Sequence, residues 1–182
     1  MCFAFMRKRF PMLRLTRADW NFDWPFAWQH LRLGLPMAVQ FLIISMGILV
    51  LQSVCNTFGP ETIAGFVSAT KIEQLALQPM ISFGIAMAVY SAQNYGASQY
   101  GRIRQGVRSA TLIGGIYSIA ACIVLTVLGG VIPLLFVDAS ETVVIHQAHQ
   151  FLTFNSLFYI PLTIVNVWRF TIQGMGYSLL AI

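Results

Sequence analysis

Charged side chains are missing from the chain over long stretches. Residues 33–58, 74–100, 109–136 and 150–168 contain no Asp, Glu, Lys or Arg. Roughly 20 apolar residues cross the hydrocarbon core of a bilayer as a helix, and the first three runs comfortably exceed that. None shows the short alternating segments of a transmembrane β-barrel. The pattern therefore predicts an all-α, polytopic transmembrane helical bundle. Its helices are expected over about 33–58, 63–95, 107–136 and 148–173, with the start of a fifth at 177. Phe58-Gly59-Pro60-Glu61 reads as a tight turn, Gly96–Arg108 as a Gly/Arg loop, and Val137–Gln147 as a loop on the other side. The second helix is over-long, so its first turns should project from the bilayer or tilt. Because Tyr177–Ile182 begins a helix and stops, the expectation is a piece of a larger bundle.

Composition agrees. The 182 residues are 57% apolar and 9% charged, whereas soluble domains carry about 25% charge. The net charge of +5 gathers beside the apolar runs, so topology accounts for it without a nucleic-acid partner. Residues 1–32 form a basic, aromatic leader with Arg7, Lys8, Arg9, Arg14, Arg17 and Arg32 around Trp20, Trp24 and Trp28. It lacks the apolar core of a secretory signal. Asp23 followed by Pro25 suits a helix start near Trp24. Arg102, Arg104 and Arg108 mark the second basic side, while Glu61, Asp138 and Glu141 occupy the opposite loops. The positive-inside rule then puts the N-terminus in the cytoplasm.

Polar residues inside the runs are not scattered. With ~100° per residue, Asn155, Tyr159, Asn166, Arg169 and Gln173 share one stripe of the fourth helix. Lys71, Gln74, Gln78 and Ser82 share one side of the second, and Ser45, Gln52 and Asn56 one face of the first. Amides facing lipid lose their hydrogen bonds at a few kcal/mol each. Three polar faces predict a common wet cavity, lined by Gln52, Asn56, Lys71, Gln74, Gln78, Asn155, Tyr159, Asn166 and Arg169. The alternative for each amide is a helix–helix hydrogen bond worth ~0.6 kcal/mol. Lys71 and Glu73 point ~200° apart and form no pair of their own. Ala110, Gly114, Ser118, Cys122, Thr126 and Gly130, and likewise Gly84, Ala88, Ala92 and Gly96, recur every four residues as close-packing stripes. Pro36, Pro79, Pro133 and Pro161 are expected to bend or end membrane helices.

Nothing points to an enzyme. His146 and His149 have a helical ligand spacing without a third placed ligand, so no metal is expected. Cys2, Cys55 and Cys122 lack metal spacing. Gly174-x-Gly176 is too short for a phosphate loop.

Three segments carry a resemblance to a known family. They are Gly34-Leu35-Pro36-Met37-Ala38-Val39-Gln40-Phe41 with Leu51-Gln52-Ser53 and Asn56-Thr57-Phe58-Gly59; Gln78-Pro79-Met80, Gly84-Ile85-Ala86 and Gln93-Asn94-Tyr95-Gly96-Ala97 with Arg102-Ile103 and Gly106-Val107-Arg108; and Trp168-Arg169 with Gln173-Gly174-Met175-Gly176. From Leu31 onward they resemble the second half of bacterial MATE (multidrug and toxic compound extrusion) transporters. That resemblance implies a fold of twelve helices in two six-helix bundles around a central cavity, of which this chain holds four. It also implies export of organic, often cationic, compounds across the bacterial inner membrane in exchange for sodium ions or protons. The remaining partners are the lipid bilayer, the first bundle and the last two helices of the second; no cofactor is implied. The family's cavity-lining helices correspond to the first, second and fourth here, which adds Gln40 to the substrate-cavity candidates. Family members often couple ions through acidic residues in the protein's first helix or in helices matching the first and fourth here. Those two helices have no Asp or Glu, so the coupling site is expected outside this chain. Two rival readings remain: a lipid-linked sugar flippase of the same superfamily, and a non-transporting membrane scaffold subunit.

Overall fold

The computed structural model of the chain describes residues 22–181, and every regular element among them is helical. Five α-helices follow in order: α1 (Trp24–Cys55), α2 (Pro60–Gly96), α3 (Tyr100–Leu128), α4 (Thr142–Ser156) and α5 (Tyr159–Gly174). Short 3-10 turns occupy Asn56–Phe58, Ile132–Leu135 and Ser178–Ala181. Three helices are long and apolar enough to cross a membrane, and α4 with α5 makes a fourth if the bent pair is one span. The all-α bundle expected from the charge pattern is what the chain forms.

Local chemistry sets the boundaries. α1 starts at Trp24 with Pro25 in its first turn, where the absent N–H has no helical partner to lose. Asp23 does not cap it through the side chain; its carbonyl instead accepts the Ala27 N–H at 2.9 Å. Residues 1–21, with most of the basic leader, lie outside the described residues, and the end of the leader continues as helix. Gly59 breaks α1 from α2 with φ +97°, a conformation that costs glycine nothing. α2 runs 37 residues, about 55 Å at 1.5 Å per residue, so it outreaches the ~30 Å hydrocarbon core as its length suggested. The expected Gly/Arg loop is much shorter than its composition implied. Only Ala97–Gln99 separates α2 from α3, and Arg102, Arg104 and Arg108 ride on the first turns of α3. Before α4, the Asp138 carboxylate accepts both the Ser140 N–H and its hydroxyl at 3.1 Å. The backbone bond, with the hydroxyl second, holds the Asp138 carboxyl below the usual carboxylate range.

The largest departure lies in the fourth span, expected as one helix over 148–173. It is two helices bent by 51° at Leu157 and Phe158. Pro161 explains the break: it has no N–H for the Leu157 carbonyl, and its ring crowds that carbonyl in a continuous helix. Placed in the first turn of α5, it is tolerated. Pro36 and Pro79, by contrast, lie within continuous α1 and α2.

α2 is the hub, packing against α3, α4 and α5. These packings build two core patches. One joins Ala69, Ile72, Met80, Leu125, Ala148, Leu152 and Tyr159; the other joins Met87, Ile103, Val107, Ala110 and Val167. Lipid tails are as apolar as these side chains, so in the bilayer the patches are held by close packing rather than by escape from water. The small residues supply that closeness. A Cβ added to Gly174 would fall on the Ala88 carbonyl oxygen and Cα, one on Gly84 would enter the Phe170 ring, and one on Gly114 would lie 2.5 Å from Thr163 Cγ2. Ser118 completes the α3–α5 seam through a 2.7 Å hydrogen bond with the Thr163 hydroxyl. α1 stands apart, with no buried residue.

Candidate functional site

The polar residues of the membrane helices fall into three groups, not one cavity. The first centres on Glu73 of α2. Its Oε1 accepts the Asn155 side-chain N–H at 3.0 Å, which ties α2 to the last turn of α4. Tyr159, on the first turn of α5, is 1% exposed, and its hydroxyl has no hydrogen-bond partner. Its ionisable neighbours are Glu73, Tyr117 and Cys122. Tyr117 donates from α3 to the Ala76 carbonyl at 3.0 Å. α2 and both halves of the broken span thus meet at Glu73, Asn155 and Tyr159, with Tyr117 of α3 beside Tyr159.

The second group sits at the far end of α5. Arg169 donates to Asn166 Oδ1 at 2.9 Å, and its guanidinium lies 4.9 Å from the Phe170 ring centroid. One turn on, Gln173 donates to Gln40 Oε1, and Gln40 donates to the Ala181 carbonyl, both at 3.0 Å. These bonds moor the otherwise unburied α1 to the end of the chain.

The third group is open. Gln52 on α1, Asn56 in the 3-10 turn after it, and Lys71, Gln74 and Gln78 on α2 are all exposed. The Lys71 ammonium rests 5.7 Å from the Phe136 ring centroid. This stripe faces away from the packed core of the described residues, as a surface awaiting water or another part of the protein does.

The single wet cavity expected from helical periodicity is therefore not assembled within the described residues. Tyr159 and Asn166 are buried in the bundle, not open to a cavity. The reason is the break: a stripe drawn through Asn155 and Asn166 assumes one helix, and the 51° bend redirects everything after Phe158. Two open clefts, of about 610 and 540 Å³, lie elsewhere. Gln29, Arg32 and Gly176–Leu180 line the first, and α3 and α5 with Trp168 line the second; none of the ten candidates lines either. His149 donates a ring N–H to the Thr126 carbonyl at 3.0 Å, which uses it in packing α4 on α3. Periodicity did not select Glu73 as a site residue, although it is the acidic residue bordering the 74–100 apolar run. Only the fold shows that it meets Asn155.

The match with known proteins fits this architecture. The family model described as MatE matches residues 36–182, most of the chain and all of α2 to α5. The chain belongs to the MatE family. Among curated relatives, the probable multidrug resistance protein YoeA of Bacillus subtilis (strain 168) is 25% identical over 146 residues, covering 80% of this chain and 31% of that protein. The probable multidrug resistance protein YpnP of the same organism is 24% identical over 129 residues, covering 71% of this chain and 28% of that protein. This MatE chain thus spans under a third of the length of these relatives. Family and apolar helices together make it a multi-pass membrane protein.

Proposed function

We propose that this MatE chain works as part of a secondary active exporter of organic, cationic compounds, driven by a sodium or proton gradient across the bacterial cytoplasmic membrane. The observation that carries this reading is the open polar stripe of Lys71, Gln74 and Gln78 on α2, with Gln52 and Asn56 also exposed at the end of α1, in a chain otherwise made for lipid. Exposed amides on membrane helices are costly unless they border water or another polar surface. In the proposed protein, further helices close over that stripe and make the substrate path, and such halves rock about a midplane site in alternating access. The leader lies on the cytoplasmic side, in line with the basic residues of α3.

The test is efflux of a fluorescent cation from everted membrane vesicles carrying the full-length protein, under imposed sodium and proton gradients in turn. Gln74→Leu with Gln78→Leu should alter substrate preference or apparent affinity while leaving the driving ion unchanged. A full-length protein that moves no organic cation under either gradient refutes the exporter reading. Movement of a lipid-linked sugar in its place would favour the flippase.

A further inference from the structure

Among the described residues, Glu73 is the one carboxylate lying more than a turn inside a helix. Asp23 and Glu141 sit at helix starts, Glu61 in the first turn of α2, and Asp138 in a loop. The family resemblance implies coupling carboxylates on other helices, so Glu73 has no role assigned by it.

Its surroundings are unusual for a membrane carboxylate. Such groups normally pair with a cation, whereas the partner given to Glu73 is the neutral Asn155 amide at 3.0 Å. Lys71 points from the other face of α2 to Phe136, and the Arg169 guanidinium is engaged by Asn166 and Phe170. α4 ends at Ser156, so its C-terminal end, with partial negative charge and carbonyls lacking helical donors, abuts the same place. Proline at 161 leaves the Leu157 carbonyl without its helical N–H. Carboxylate and helix C-terminus both favour positive charge there, while the Thr153 and Asn155 carbonyls are already taken by the Ser156 hydroxyl and the Phe158 N–H. Sodium calls for several converging oxygens; a proton needs one lone pair.

We infer that Glu73, seated against Asn155 at the α4–α5 break, is a proton-binding site of the transport cycle. The inference rests on the exporter reading above. In the step, one Glu73 carboxylate oxygen takes a proton from a hydronium ion, leaving water, and becomes a neutral carboxylic acid; the reverse step hands the proton to water on the other side, forming hydronium there. Ionised, Glu73 accepts a charge-assisted bond from Asn155, roughly twice as strong as the neutral bond left after protonation. Protonation therefore loosens α2 from the α4–α5 break and ties proton occupancy to the bend. The titratable group that meets Glu73 from another helix is Tyr159 on α5, which itself lies beside Tyr117 and Cys122 of α3; Lys71 is on its own helix. Lys71 and His149 are engaged elsewhere, with Phe136 and the Thr126 carbonyl.

Full-length protein in proteoliposomes loaded with ethidium tests the inference. The wild type should transport under a pH gradient. Glu73→Gln should lose about tenfold or more of that flux, within the range that coupling between two sites supplies, while still binding ethidium. Glu73→Asp should keep a pH-dependent flux with a displaced midpoint, and His149→Gln should keep the wild-type profile. Independently of transport, infrared difference spectra of purified protein should show a carboxylic-acid carbonyl band that titrates with pH and vanishes in Glu73→Gln. An unaltered pH profile in Glu73→Gln, flux driven by sodium alone, or no such band would overturn the assignment. A protein that transports under neither gradient, yet shows the Glu73 band, would keep the proton site and refute the exporter reading.

Discussion

At the residue scale, the absence of a Cβ does as much for this bundle as any side chain. Gly174 ends α5 directly over the Ala88 backbone, and backbone atoms cannot step aside as a side-chain tip can. Alanine at 174 gains up to ~1 kcal/mol of helix propensity but forces two helices apart, an overpacking cost of about 1–3 kcal/mol. Gly174→Ala is accordingly expected to lower thermal stability in detergent. Gly114→Leu, driven into Thr163, should do so more strongly, while Ile116→Leu, at a site 61% exposed, should change little. Equal melting of the Gly114 and Ile116 variants would remove the packing role of that stripe. The small-residue stripes are legible in sequence because four-residue spacing keeps them on one face, and the fold uses Ala110, Gly114 and Ser118 as that spacing implies. The Glu73–Asn155 bond was not legible, since nothing in either segment says that residues 82 positions apart will meet.

At the scale of the element, the α4–α5 break separates what periodicity joined. The four apolar runs were readable because charge is excluded from each, whatever the shape of the helix inside it. A bend leaves no mark on that exclusion, and Pro161 signalled an interruption without its angle. Because Pro161 explains the break, Pro161→Ala should restore the missing N–H and straighten the span. Spin labels at Val143 and Trp168, both exposed, would then move apart by about 3 Å toward the straight-helix separation. An unchanged distance would mean that packing of α4 and α5 on α2 holds the bend without the proline.

For the whole molecule, the arrangement of ends is the feature most open to a direct check. The first turns of α3 carry the arginines, and the α3–α4 connection carries Asp138 and Glu141. With Cys2, Cys55 and Cys122 replaced by Ser, single cysteines at Ser98 and Gln105 should react with an impermeant maleimide only from the cytoplasmic side. Cysteines at Ala139 and Thr142 should react only from outside, and the reverse pattern would invert the proposed topology. In this orientation Glu73 lies 13 residues inside α2 from its outer end at Pro60, about 20 Å along the helix. Asn155 lies a similar distance along α4 from Glu141, so the two meet at one depth.

The separation of 82 residues between Glu73 and Asn155 also sets an order in time. A ribosome delivers α2 to the membrane well before it has made α4. Throughout that interval Glu73 is a newly inserted acid without its amide, and a neutral carboxyl is far cheaper in lipid than a charged one. α1, with no residue buried in the core, enters without waiting. α2 does not share that independence: its settled place in the bilayer belongs to the moment when the broken span arrives beside it.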